Sequence, residues 1–142
     1  MEVLLLSELE RFYIEQNFER DNFNLIEEVD KILSEFIDEN LKCYNYFKTG
    51  IMLLFEKKWR ASSKTELFHE IARINEVKSG STVSRTMRNY MLVLFGKKRE
   101  FQSLEIDIEK YKLKFNKKPT EYYFIYQIYR EIIAKNYKYF ES

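Results

Sequence analysis

Small residues and chain-breaking residues are scarce in this protein. Its 142 residues include three glycines, three alanines and one proline, too few for a phosphate-cradling glycine-rich loop or a low-complexity linker. Cys43 is the sole cysteine, so no disulfide can close within the chain, and a reducing compartment is the simplest expectation. His69 is the sole histidine. Glu66-x-x-His69 has the carboxylate–histidine spacing of di-iron bundles, but those sites need a second such pair. His69-Glu70 is no zinc-protease motif, because Arg73 stands where the second histidine belongs. Cys43 has no histidine near it in sequence to act as the base of a thiol nucleophile. The expectation is therefore a chain without catalytic residues, metal or cofactor. No apolar run approaches the roughly 20 residues that span a bilayer. The cluster Val3–Leu6 lacks the basic flank and the length of a signal peptide. A cytoplasmic protein with no membrane partner is expected.

Large rings and charge are abundant instead. Hydrophobic residues make up 45% of the chain, and 12 Phe and 11 Tyr bring the aromatic share to 17%, which suits one domain with a core built from rings. Lys, Asn, Tyr, Ile and Phe are the residues of A/T-rich codons, pointing to an A/T-rich bacterial, plasmid or phage genome. Charge is sorted by position. Residues 1–56 carry 13 acids and 5 bases, residues 57–99 carry 11 bases and 3 acids, and residues 100–142 are nearly balanced. A basic block inside a chain of net charge +1 is the footprint of a surface that meets polyanions.

Apolar spacing is helical almost throughout. Ser7 to Glu10 forms a capping box, and Asn22 or Asn24 caps a helix with Ile26, Val29, Leu33, Phe36, Ile37 and Leu41 on one face. That stripe runs on through Tyr44 and Phe47 to Gly50, read as a helix stop. Ile51 to Trp59 reads as a further helix. Ser63 and Glu66 form a second capping box, opening a helix with Leu67, Phe68, Ile71 and Ile74 inward. Val77 to Gly80 is the turn. Ser81 is taken as the cap of the next helix, which has Val83, Met87, Tyr90, Met91 and Leu94 on its apolar side and ends at Gly96. Over 100–116 the pattern favours a helix, with Leu104, Ile108, Tyr111 and Phe115 as its stripe. The alternative is a short winged hairpin, since Leu104, Ile106 and Ile108 alternate like a strand and so do Tyr111, Leu113 and Phe115. The turn Glu109-Lys110 lacks the Asn or Gly of tight hairpins. After the break at Asn116–Pro119, Thr120 caps a last helix, with Tyr122, Ile125, Tyr126, Tyr129, Ile132, Ile133, Tyr137 and Phe140 along one side. The fold class predicted is all-α: a single domain over 1–142 with about six helices, acidic over 1–50, basic over 57–99 and aromatic over 120–140.

Within the basic block, Glu70-Ile71-Ala72-Arg73-Ile74-Asn75-Glu76-Val77, Lys78-Ser79-Gly80-Ser81 and Thr82-Val83-Ser84-Arg85 follow in succession. This run resembles the helix-turn-helix of bacterial repressors, and among them the lactose-repressor family in its Thr-Val-Ser-Arg wording. The resemblance covers about a sixth of the chain. It departs from the family where Glu76 replaces the usual turn glycine, and its turn is one residue longer. The resemblance implies a DNA-binding regulator, and the residues suit that chemistry. With Val83 and Met87 inward, Thr82, Arg85, Arg88 and Asn89 lie on the opposite side, where Arg can fork onto guanine, Asn can pair with adenine and Thr can touch thymine. Lys57, Lys58, Arg60, Lys64, Lys78, Ser81, Lys97, Lys98 and Arg99 are placed to meet phosphates. Double-stranded DNA is the expected partner and a homodimer the expected assembly.

Two further faces complete the reading. Glu27, Glu28, Asp30, Glu35, Asp38 and Glu39 crowd what is expected to be a solvated acidic face, which could also receive a basic protein partner. Tyr122, Tyr126, Tyr129, Ile133 and Tyr137 form a stripe that is either core or a dimer or partner face. The alternative function is a helical protein-interaction module, such as a phage-encoded inhibitor or a small subunit of a nucleoprotein complex.

Overall fold

The structure, a computed structural model, describes residues 24–97 and 101–140. The expected capping box at Ser7 and the residues Asn22, Lys98 and Arg99 lie outside them. The described chain runs α1 (Leu25–Leu33), α2 (Lys42–Leu53), α3 (Lys57–Arg60), α4 (Lys64–Ile74), α5 (Gly80–Phe95), β1 (Leu104–Ile108), β2 (Tyr111–Phe115) and α6 (Glu121–Lys135), then a 3₁₀ turn at Tyr137–Tyr139. None of these helices is long and apolar enough to cross a membrane.

Caps mark most helix starts. The side chains of Asn24, Ser63 and Thr120 accept from the amides of Glu27, Glu66 and Tyr123, satisfying donors that the first turn leaves free. The cap of α5 is Ser79, not Ser81: its Oγ accepts from the Thr82 amide, and the helix begins at Gly80. The stripe expected from Ile26 to Gly50 is two helices rather than one. The chain turns between Ser34 and Leu41, where Asp38 accepts from the Asn40 amide. Gly50 is no stop but a buried position inside α2, where a Cβ would lie 2.8 Å from Ile125 Cδ1 and 3.1 Å from Ile71 Cδ1. The expected helix Ile51–Trp59 is also divided, its first half completing α2 and its second forming α3.

The all-α expectation is corrected at 104–115, which forms an antiparallel hairpin with Leu104 opposite Phe115 and Ile108 opposite Tyr111. Two features favour strands there. Alternation buries Ile106, Tyr111, Leu113 and Phe115 on one face, and the exposed face sets Glu105 opposite Lys114 and Asp107 opposite Lys112, each an attractive cross-strand pair. Glu109 accepts the positive φ (48°) that the tight turn requires.

Phe124 of α6 lies at the centre of the core. Its ring meets Phe36 at 5.2 Å, Phe47 at 5.5 Å, Phe115 at 5.3 Å and Phe95 at 6.2 Å, joining the α1–α2 connection, α2, β2 and α5. Each such ring pair contributes about 0.5–1.5 kcal/mol beyond its buried area. The buried face of α6 is thus Phe124, Ile125, Ile128 and Ile132, and the tyrosines expected to share it are displaced to its flank.

The acidic face also differs from expectation. Glu27, Glu35, Asp38 and Glu39 are exposed, but Glu28 is buried. It accepts from the Tyr111 hydroxyl at 2.5 Å and pairs with Lys31 and Lys110, each at 3.1 Å. Asn136, past the end of α6, donates to the same Tyr111 oxygen at 2.7 Å. Asp30 accepts from Tyr44 at 2.6 Å and from Lys48 at 3.2 Å. Burial alone would raise the Glu28 carboxyl, but the bonds from Tyr111, Lys31 and Lys110 outweigh it and hold the group below its ordinary range.

Candidate nucleic-acid interface

The pair α4 and α5 is joined by five residues, Asn75 to Ser79. The end of α4 is closed by two bonds, Val77 N to Ala72 O at 2.9 Å and Glu76 N to Arg73 O at 3.3 Å, the paired pattern of a Schellman cap. Glu76 holds its left-handed position at φ 55°. The buried Asn75 side chain donates to Thr49 Oγ1 and to Ile71 O, tying this turn to α2.

From there α5 passes against α4 backbone to backbone. A Cβ on Gly80 would lie 2.7 Å from the His69 nitrogen and 2.9 Å from the Phe68 carbonyl carbon. The close approach is therefore made at Gly80, and Ala72 is buried nearby on α4. Val83, Met87, Met91 and Phe95 face the core, so the other side of α5 is presented outward.

A groove of about 740 Å³ opens beside this outward face, lined by Lys64, Thr65, Phe68, His69, Gly80, Ser81, Ser84, Arg85, Arg88 and Glu121. Three helices begin at it: Lys64 opens α4, Gly80 opens α5 and Glu121 opens α6. Their amide ends add partial positive charge to that of Lys64, Arg85 and Arg88. Glu121 is the one acid in the lining. Its carboxylate accepts from Ser84 Oγ at 2.8 Å and lies 3.7 Å from the Arg88 guanidinium.

The structure gathers four of the expected residues at this groove: Lys64, Ser81, Arg85 and Arg88. Arg85 and Arg88 are both exposed, and Arg88 leans toward Ser84 at 3.4 Å and Glu121 at 3.7 Å. Asn89 is exposed on α5 outside the groove lining, and Thr82 is half-buried with its hydroxyl 3.0 Å from Ser79 Oγ. Lys78 is exposed in the connection, Lys97 is exposed after the cap Gly96, and Lys57, Lys58 and Arg60 are exposed on α3. Ser84, His69 and Glu121 were not singled out as site residues. The polar spacing of α5 could have flagged Ser84, but no local signal places the start of α6 against α5.

The tyrosine stripe adjoins the groove. Tyr122 and Tyr126 stack at 6.0 Å, and Tyr126 and Tyr129 follow at 5.8 Å. All three are half-buried, as is Ile133, while Tyr137 is exposed in the 3₁₀ turn. Tyr129 also packs on Phe55 at 4.9 Å, so the middle of the stripe is partly covered from within the chain. Burial raises the Tyr122 and Tyr129 hydroxyls above their ordinary range, with Arg60 partly opposing this at Tyr129.

Cys43 is buried in the core, and burial pushes its thiol up; His69 is exposed on α4. Among the described residues no group of three or more His, Cys, Asp and Glu side chains is placed to hold a metal ion. No protein-family model, no curated protein and no solved structure matches this chain.

Proposed function

We propose that this chain is a sequence-specific DNA-binding regulator of bacterial, plasmid or phage origin, with α4 and α5 as a helix-turn-helix. The observation that carries the reading is the outward face of α5. It presents Ser81, Arg85 and Asn89 while its opposite face is buried, and no described carboxylate pairs with Arg85. A helix about 10–12 Å across fits a major groove about 12 Å wide, with its N-terminal residues nearest the bases. Arg85 then reaches guanine and Asn89 adenine. Arg88 and Thr82 flank them, and Lys64, Lys78 and the α3 cations meet phosphates. The hairpin follows α5 in the order of a winged helix, yet its tip is engaged elsewhere. Lys31 binds Glu109 at 2.8 Å, and Lys110 binds Glu28 and Asn136.

The test is fluorescence anisotropy with random and selected duplexes across a salt series. Arg85→Ala should weaken binding to the selected site by about 1–3 kcal/mol and relax specificity at one position. Unchanged binding to that site would overturn the role of α5. The second reading, a protein-interaction module, is favoured by apolar exposure at the far end of α5, where Val93 is 72% and Leu92 37% exposed. It predicts no duplex binding even at low salt, and partner binding that fails on charge reversal at Glu35 and Asp38.

A further inference from the structure

The tyrosine stripe of α6 carries its own set of cations. Lys64 Nζ stands 5.1 Å over the Tyr122 ring, the Arg130 guanidinium 6.0 Å over Tyr126, and the Arg60 guanidinium 5.8 Å over Tyr129. None of the three pairs with a carboxylate among the described residues. The described ion pairs form around other cations: Lys31, Lys48, Arg73, Arg88, Lys110 and Lys112. Lys64 also lines the groove beside α5, so groove and stripe are one continuous surface.

A cation over an aromatic face is in a particular state. The ring quadrupole attracts it and orders its side chain, but does not cancel its charge as a carboxylate would. The side chain has therefore lost part of its freedom before any ligand arrives, and less is lost on binding. The ring faces are occupied by these cations and by one another, which disfavours base stacking. Three uncancelled cations over rings that span about 10 Å of helix complement a phosphate strand.

The geometry points to the Lys64–Arg60–Arg130 stripe on Tyr122, Tyr126 and Tyr129 as one extended backbone-binding surface, in which Arg130 joins the two phosphate cations already named and carries the phosphate strand of a DNA duplex onward from the α5 groove. This rests on the DNA-binding reading above and extends it. The tyrosines act by positioning the cations, and the surface reads no sequence. It lengthens the footprint on one side of the α5 helix.

The experiment uses the full chain and two duplexes, one just covering the selected site and one about a helical turn longer on either side. Arg60→Gln/Arg130→Gln is compared with wild type, because glutamine keeps a donor for the Leu54 carbonyl that Arg60 now meets at 2.9 Å. Removing one cation from a phosphate should flatten the slope of log K against log salt by about 0.9. The double variant should therefore show a slope flatter by about 1.8, bind all sequences more weakly and gain nothing from the longer duplex, while wild type gains. Arg130→Gln alone, at an exposed position, should show about half of that slope change and guards against a folding defect in the double variant. Unchanged slope and length dependence would overturn the proposal while leaving the role of α5 intact. So would a shift in sedimentation with the slope unchanged, which would make the stripe a seam between copies. Failure of wild type to bind any duplex would instead overturn the reading of α5, and this surface with it.

Discussion

Glu76 occupies a backbone conformation that costs an L-residue with a Cβ roughly 1–2 kcal/mol, at the one position of a Schellman cap where glycine is usual. Its φ of 55° is enforced by the two bonds that close α4. Glu76→Gly relieves that cost but gives the unfolded chain more freedom, which returns about 0.4–1 kcal/mol. The net expectation is a gain of about 0.5–1 kcal/mol in urea unfolding. A loss of stability would show that the glutamate side chain contributes more than the backbone strain. This residue was legible in sequence as a substitute for a turn glycine. Phe124 was not: its neighbours Tyr122, Ile125 and Tyr126 make an equally good helical stripe, and only packing against Phe36, Phe47, Phe95 and Phe115 decides which side is inward. Glu28 was hidden for a related reason. Its hydrogen-bond partner Tyr111 lies 83 positions away along the chain, beyond any local pattern, and Asn136, which completes the cluster, lies farther still.

At the scale of elements, the crossing of α4 and α5 depends on one missing methyl group. Gly80→Ala puts a Cβ 2.7 Å from the His69 nitrogen and 2.9 Å from the Phe68 carbonyl carbon, backbone atoms that cannot rotate aside as a side-chain end could. Overpacking of this kind typically costs about 1–3 kcal/mol, and here the strain falls on the angle between the two helices. The variant should melt earlier and, under the DNA-binding reading, lose specific binding more than random-sequence binding. A thermal midpoint equal to wild type would mean that the helices part easily. Helix starts with side-chain caps were readable at Ser63 and Thr120, because a cap is a local pattern, and at Asn24 the sequence left Asn22 as an equal candidate. At α5 the local pattern does not separate Ser79 from Ser81, since both offer the same hydroxyl and only the crossing at Gly80 chooses between them. The hairpin competed with an equally apolar helical stripe. Its opposed charges, Glu105 with Lys114 and Asp107 with Lys112, were the unread signal.

Across the whole molecule, Arg60, Lys64, Arg85, Arg88 and Arg130 gather at the groove and stripe, while exposed Glu35, Asp38 and Glu39 follow α1. The polar cluster of Glu28, Lys31, Lys110, Tyr111 and Asn136 lies toward the other end of α6 from Glu121, about 22 Å along a helix of this length. It also makes folding pH-dependent. The folded Glu28 carboxyl lies below its ordinary range, so its contribution is complete above the unfolded value near about 4.3 and falls away as pH drops through the lower folded value. Between about pH 5 and 3 the thermal midpoint of wild type should fall more steeply than that of Glu28→Gln, which has no proton to take up at this site. Parallel curves would assign the acid sensitivity to other carboxyls.

The same cluster bears on the order in which the chain comes together. The Glu28–Tyr111 bond closes a loop of 83 residues, and closing a loop of that length from a flexible chain costs about 4 kcal/mol of entropy before any interaction repays it. One hydrogen bond contributes far less than that on balance. The carboxylate and the phenol therefore meet once helix packing has already brought the two regions of chain together. The cluster is a clasp fastened at the close of assembly, rather than a nucleus from which assembly starts.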